Sequence, residues 1–140
     1  VSNGPRSVGL ADSPVPIRVQ LSALWASVTL CYLYCDYFEL YQPGKLSGML
    51  AGQMGPMGPT TQGVLLGASI VLAVPAVLVA LCLLLSPRLC RGVNVVAGVV
   101  YTAIMLLLLP RVWHFYQFFA TVEIALTGGI VWRAWRWPRA

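Results

Sequence analysis

Charge is what this sequence has least of. Its 140 residues include nine Lys or Arg, four Asp or Glu and one His, so that 9% are charged. A water-exposed domain carries about 25%. That scarcity excludes a surface solvated by water on all sides. Histidine is single, and the four cysteines form neither a CxxC nor a cluster with it, which excludes the usual zinc and haem spacings. There is no Gly-rich phosphate loop, nucleophile elbow or HExxH. No catalytic residue, metal ligand or cofactor is therefore assigned, and the chain reads as a non-enzyme. The net charge of +5 is almost all arginine, placed at the ends of apolar runs. Without a basic stripe interleaved with exposed aromatics, nucleic acid is not an expected partner. Residues 1–16 are polar and rich in Pro, Gly and Ser, lack the apolar core of a signal peptide, and read as a flexible tail.

What the chain does have is apolar length, with 59% of its residues hydrophobic. The expected fold is all-α, an integral membrane four-helix bundle forming one domain over residues 17–138. The spans fall at about 17–41, 62–86, 93–109 and 113–132. Trp25 near one end of the first span and Tyr37 and Tyr41 near the other read as interfacial aromatics. Between the first two spans, Lys45 to Met54 places Leu46, Met49, Leu50 and Met54 on one face, which predicts a short interfacial helix. Thr60-Thr61-Gln62 offers a cap for the second span. Pro75 sits mid-span, where it removes one backbone hydrogen bond, frees the carbonyl of Val71 and predicts a kink. Gly63 and Gly67 form a GxxxG, a common close-packing face. Pro87 to Gly92 reads as a short basic turn.

Orientation follows from the cations. Arg6, Arg18, Arg88, Arg91, Arg133, Arg136 and Arg139 fall on one side, Lys45 and Arg111 on the other. The positive-inside rule then puts both termini in the cytoplasm. The expected partners are the lipid bilayer and either further copies of the chain or a larger membrane complex.

One acid lies deep. Glu123 is twelve residues past Arg111, roughly 18 Å below the outer edge by helix rise. An intramembrane carboxylate is costly and marks a candidate functional residue. It shares a helix face with Tyr116, Phe119, Ala120 and Thr127, and Tyr101 and Thr102 lie at its level. Two readings stand side by side: a neutral acid bonded to Tyr101 or a main-chain carbonyl as interhelical glue, or a ligand or proton site formed by Glu123, Tyr101, Thr102, Tyr116 and Tyr32. At the outer rim, Asp36 and Glu39 have Arg111, His114 and Lys45 at their height, and an ion-pair cluster is expected there. Metal ligation or paired-carboxylate catalysis by the same residues is unsupported by spacing. Cys31 and Cys35 share a helix face but aim poorly at each other for a disulfide. The cysteines read as small buried hydrophobes, with redox activity of that pair as the alternative.

Several short motifs occur together: Ser22-Ala-Leu-Trp25, Tyr34-x-Asp36-Tyr37, Tyr41-x-Pro43-Gly44, Met54-Gly-Pro56, Thr61-Gln-Gly63, Val93-Asn94, Tyr101-Thr102 and Val122-Glu123-Ile124. Over residues 17–138 the chain resembles a family of small four-span bacterial membrane proteins of unknown function. The resemblance implies four spans, the bacterial cytoplasmic (inner) membrane and an acid at the Glu123 position. It implies no activity. Relatives tend to carry an acid ahead of the Trp where this chain has Arg111-Val-Trp113-His114. A looser, architecture-only similarity is to the DoxX-like membrane proteins. The expected function is a membrane protein that binds a partner or an apolar ligand. The alternative is a small transporter or proton-coupled carrier using Glu123.

Overall fold

The computed structural model describes residues 13–138, apart from the side chain of Arg111. The first twelve residues of the expected tail, including Arg6, and Arg139 near the C-terminus lie outside the described residues. Among the described residues the fold is all-α, with no strand. Helix α1 spans Ile17–Glu39, α2 Lys45–Leu50, α3 Gln62–Leu84, α4 Pro87–Leu108 and α5 His114–Trp135. Short 3-10 turns at Gly55–Met57 and Leu109–Arg111 precede α3 and α5.

Three helices, α3, α4 and α5, are long and apolar enough to cross a membrane. Helix α1 matches them in length at 23 residues. It is the more polar helix because Arg18, Gln20, Asp36 and Glu39 fall within it. Helix α3 buries only Pro75, Leu78 and Cys82 and leaves apolar side chains on its other faces. An all-round apolar helix with so little buried inside the protein is suited to a lipid surrounding.

Helix α1 lies between α3 and α5, and α4 packs on α5 with a lighter contact to α3. The N-termini of α1 and α4 and the C-termini of α3 and α5 gather at one end, here called the arginine end. Arg18 donates to the Leu83 carbonyl at 3.5 Å and Arg91 to the Trp135 carbonyl at 3.1 Å. Both arginines thus satisfy carbonyls in the last turn of a neighbouring helix, where the helix dipole also favours a cation. The opposite, rim end joins α1 to α5 through the stacked rings of Phe38 and Phe119, 6.2 Å apart.

Helices α4 and α5 pack extensively on each other and approach closely at Gly98. A Cβ at Gly98 would lie 2.6 Å from Val131 Cγ2 and 3.3 Å from the Thr127 carbonyl oxygen, so any other residue would force Val131 to shift. One turn on, the hydroxyls of Thr102 and Thr127 share a hydrogen bond of 2.7 Å. Small residues let the backbones approach and polar side chains then join them, as membrane helices do.

Three expectations need correction. Pro87 to Gly92 is not a turn but the start of α4, with Ser86 at the N-cap and Pro87 in the first turn. Proline is favoured there because its missing N–H would be unpaired anyway. The interfacial piece is shorter than expected: α2 stops at Leu50, and Gly52, Gly55 and Gly58 all take positive φ in the turn that follows. Leu46, Met49 and Leu50 are exposed on α2. Trp25 is not an interfacial aromatic either; it is fully buried. The Thr61 cap is present, its hydroxyl accepting the Val64 N–H at 3.2 Å.

Candidate functional site

Polar side chains inside an apolar protein need partners, because an unpaired buried oxygen or N–H costs about 1–3 kcal/mol. Following them from the arginine end toward the rim separates the paired from the unpaired.

The first group surrounds Asn94, which is 1% exposed on α4. Its Oδ1 accepts the Trp25 indole N–H at 2.6 Å and the Cys82 thiol at 3.4 Å. Its Nδ2 donates to the Cys90 carbonyl at 2.7 Å and lies 3.4 Å from Cys90 Sγ. Cys90 in turn donates to the Cys82 carbonyl at 3.5 Å. One amide thus ties α1, α3 and α4 together. Ser22 adds a bond to the Val79 carbonyl at 2.8 Å. All four cysteines are free thiols.

Midway, the Tyr101 hydroxyl donates to the Val71 carbonyl at 2.6 Å. This is the carbonyl that Pro75 frees by lacking an N–H. Helix α3 runs on through Pro75 as one element, and α4 supplies the missing donor. The expected Tyr101–Glu123 bond is therefore replaced: Tyr101 is committed to the proline site. Thr102 is likewise committed to Thr127 and to the Gly98 carbonyl, 2.7 Å away.

Beyond Tyr101 the pairing stops. The Tyr101 ring stands between Trp25, edge-on at 5.9 Å, and Tyr32, tilted at 6.2 Å. Tyr32 is 8% exposed and Glu123 2% exposed. Among the described residues the buried side-chain oxygens without a hydrogen-bond partner are Tyr32 Oη and Glu123 Oε1. Glu123 lies within electrostatic reach of Tyr32, Cys31, Cys35, Tyr116 and Asp36. It faces inward as its helix position predicts, with Ala120, Thr127, Ile130 and Ala134 along the same buried face. Thr127 donates to the Glu123 main-chain carbonyl at 2.8 Å, which leaves the carboxyl itself untouched.

At the rim, Lys45 and Glu39 form the expected ion pair at 2.5 Å. The larger cluster is not assembled among the described side chains. His114 pairs with Gln117 at 3.1 Å within its own helix, three residues away and on the same face. Asp36 is exposed, and the Arg111 side chain lies outside the described residues. Among the described residues no three metal-ligating side chains come together.

A family model described as a family of unknown function (DUF6326) matches residues 16–140. The chain belongs to that family. The DUF6326 match covers every residue of the two groups above. No curated protein and no solved structure matches the chain, and the architecture-only likeness to DoxX-like proteins is not shown.

Sequence reasoning picked out Glu123, Tyr32, Tyr101, Thr102 and Tyr116 and missed Asn94. A signal was present: Asn94 and Trp25 are both polar-tipped residues in apolar runs, and each needs a buried partner. The Tyr101 bond was equally traceable, since Pro75 announces a carbonyl in want of a donor.

Proposed function

We propose that this DUF6326 protein is a four-span membrane protein whose Tyr32–Glu123 site binds a small, largely apolar ligand carrying a polar head. In this reading α1 crosses the bilayer with α3, α4 and α5, and α2 lies at the outer interface. Both termini face the cytoplasm, since Arg18, Arg88, Arg91, Arg133 and Arg136 share one end. The membrane is the bacterial inner membrane, which the family resemblance implies. The protein acts alone, as an oligomer, or as an accessory subunit of a larger membrane complex, and carries out no catalysis of its own.

One observation carries the reading. Among the described residues, the buried side-chain oxygens left unpaired are Tyr32 Oη and Glu123 Oε1, while the other buried polar side chains find partners. A phenol and a carboxyl beside aromatic rings provide the few convergent polar groups, set in apolar walls, that fix a small molecule. Purification from native membranes followed by mass spectrometry of the organic extract tests it. A small molecule present with the native chain and lost from folded Tyr32→Phe and Glu123→Gln supports the site. Identical extracts from all three sink it.

A second reading, a proton-coupled carrier using Glu123, has its own support. Asp36, exposed toward the rim, lies within electrostatic reach of Glu123. A titratable group inside and another outside are what a proton needs to leave the interior. Proton flux into dye-loaded proteoliposomes that Glu123→Gln abolishes would favour this reading over the first. A single four-span chain would need a second copy to alternate access.

A further inference from the structure

Away from Glu123, two cavities meet on the outer side of α1 near the arginine end. Both are shallow and open: one lies beside Val15 and Val19, the other along α1 and α5, and both are lined by Gln20 and Ala23. The second runs over Ala23, Leu24, Ser27 and Gly129 and ends at Trp132 and Arg133. It exists because small residues face one another across the two helices. A Cβ at Gly129 would meet no atom within 4 Å. The Ser27 hydroxyl is turned back onto the Ala23 carbonyl at 3.0 Å, which leaves the floor apolar. From Gln20 to Ser27 the trough follows α1 for roughly 10 Å.

The head of the trough is cationic. Arg133 donates to Gln20 Oε1, and the other amide group of Gln20 is spent on the Val15 carbonyl at 2.6 Å. A guanidinium has five donors, so the bond to Gln20 leaves most of the Arg133 fork for a ligand. Arg136 sits over the Trp132 ring, 5.2 Å from its centroid. Among the described residues this end holds five arginines and no carboxylate: Asp36 and Glu39 are at the rim, and Glu123 is in the interior. A cation with free donors, an indole at the same level and an apolar trough leading away from both match an amphiphile with an anionic head and a hydrocarbon tail.

We propose that this trough holds one anionic phospholipid of the bilayer, its phosphate at Arg133 and an acyl chain laid over Ala23, Leu24, Ser27 and Gly129. The site is separate from the Tyr32–Glu123 site and rests only on α1 and α5 lying in the membrane. Gly129→Leu would extend a side chain into the trough from a Cβ position that meets no atom within 4 Å, and Arg133→Gln would remove the charge while keeping a polar side chain.

Native mass spectrometry of the delipidated, detergent-purified chain tests this with phosphatidylglycerol and phosphatidylcholine of identical acyl chains. The native protein is expected to bind the anionic lipid about fivefold more tightly or better, the order of one cationic contact at a membrane surface. Arg133→Gln should bring the two lipids level, and Gly129→Leu should lose the bound lipid while keeping its helical circular dichroism. Equal binding of the two lipids by the native chain would overturn the proposal whatever the variants do. So would full lipid retention by a folded Gly129→Leu. If that variant instead dissociates a dimer and leaves lipid binding intact, the trough belongs to a second copy and the proposal fails.

Discussion

The two polar groups inside this protein are built from similar materials and finished differently. Around Asn94, one amide uses both its ends, and a tryptophan, two cysteines and a main-chain carbonyl meet it across three helices. Around Glu123, a buried tyrosine and a buried carboxylic acid are left with an unpaired oxygen each. Packing cannot account for the contrast, since both groups lie in the same core and the Trp25, Tyr101 and Tyr32 rings form one row between them. The difference teaches which polar residues here hold the helices together and which have capacity to spare. Fully paired networks specify an arrangement. Buried groups without partners cost stability, and their retention points to use.

Mutations at the two groups should therefore diverge. The largest effect is expected at the paired group. Asn94→Ala leaves the Trp25 N–H and the Cys82 thiol without their acceptor, and should cost about 2 kcal/mol or more. Reversible unfolding in mixed micelles measures it. A loss below a few tenths of a kcal/mol would mean that Asn94 is incidental.

Next comes the proline site. Tyr101→Phe should cost about 1 kcal/mol by leaving the Val71 carbonyl bare. Pro75→Ala restores an N–H in α3 that can reach this carbonyl, so the Tyr101→Phe penalty should shrink in the Pro75→Ala background. A double-mutant cycle reads the coupling directly, and strict additivity would separate Tyr101 from the proline.

The smallest effect is expected at the unpaired group. Tyr32→Phe and Glu123→Gln remove no hydrogen bond seen in the structure from the atoms they change. Each should leave stability within about 0.5 kcal/mol of the native chain, or raise it. A large loss in either would show that its oxygen is paired, and would erase the contrast between the two groups.

Much of the fold was legible in the residues. The apolar runs announced α3, α4 and α5, Thr61 announced a helix start, and Lys45 to Met54 a short helix, of which Lys45–Leu50 is helical. Glu123 could be placed inward because helical spacing puts it on the face of Ala120 and Thr127. The identity of its partners could not be read the same way. Tyr101 stands at the height of Glu123 by residue count, but count gives depth and not azimuth, and Tyr101 turns toward α3. His114 at the rim had a closer acceptor in its own helix than across the bundle. Trp25 was misplaced for a related reason: an indole near the end of an apolar run suits an interface unless another helix brings an acceptor to it.

By itself the sequence determined where the long apolar helices lie, though not where α4 begins, and that all the arginines but Arg111 fall at one side of them. These depend on composition and on periodicity along one chain, where each residue acts through its neighbours in sequence. Only the tertiary structure decided that Asn94 is saturated, that Tyr101 repairs the break made by Pro75, and that Tyr32 and Glu123 remain unpaired. Hydrogen bonds between helices depend on rotation about each helix axis to within a few tenths of an ångström. That rotation is set by packing, as at Gly98 against Val131, and not by any local run of residues.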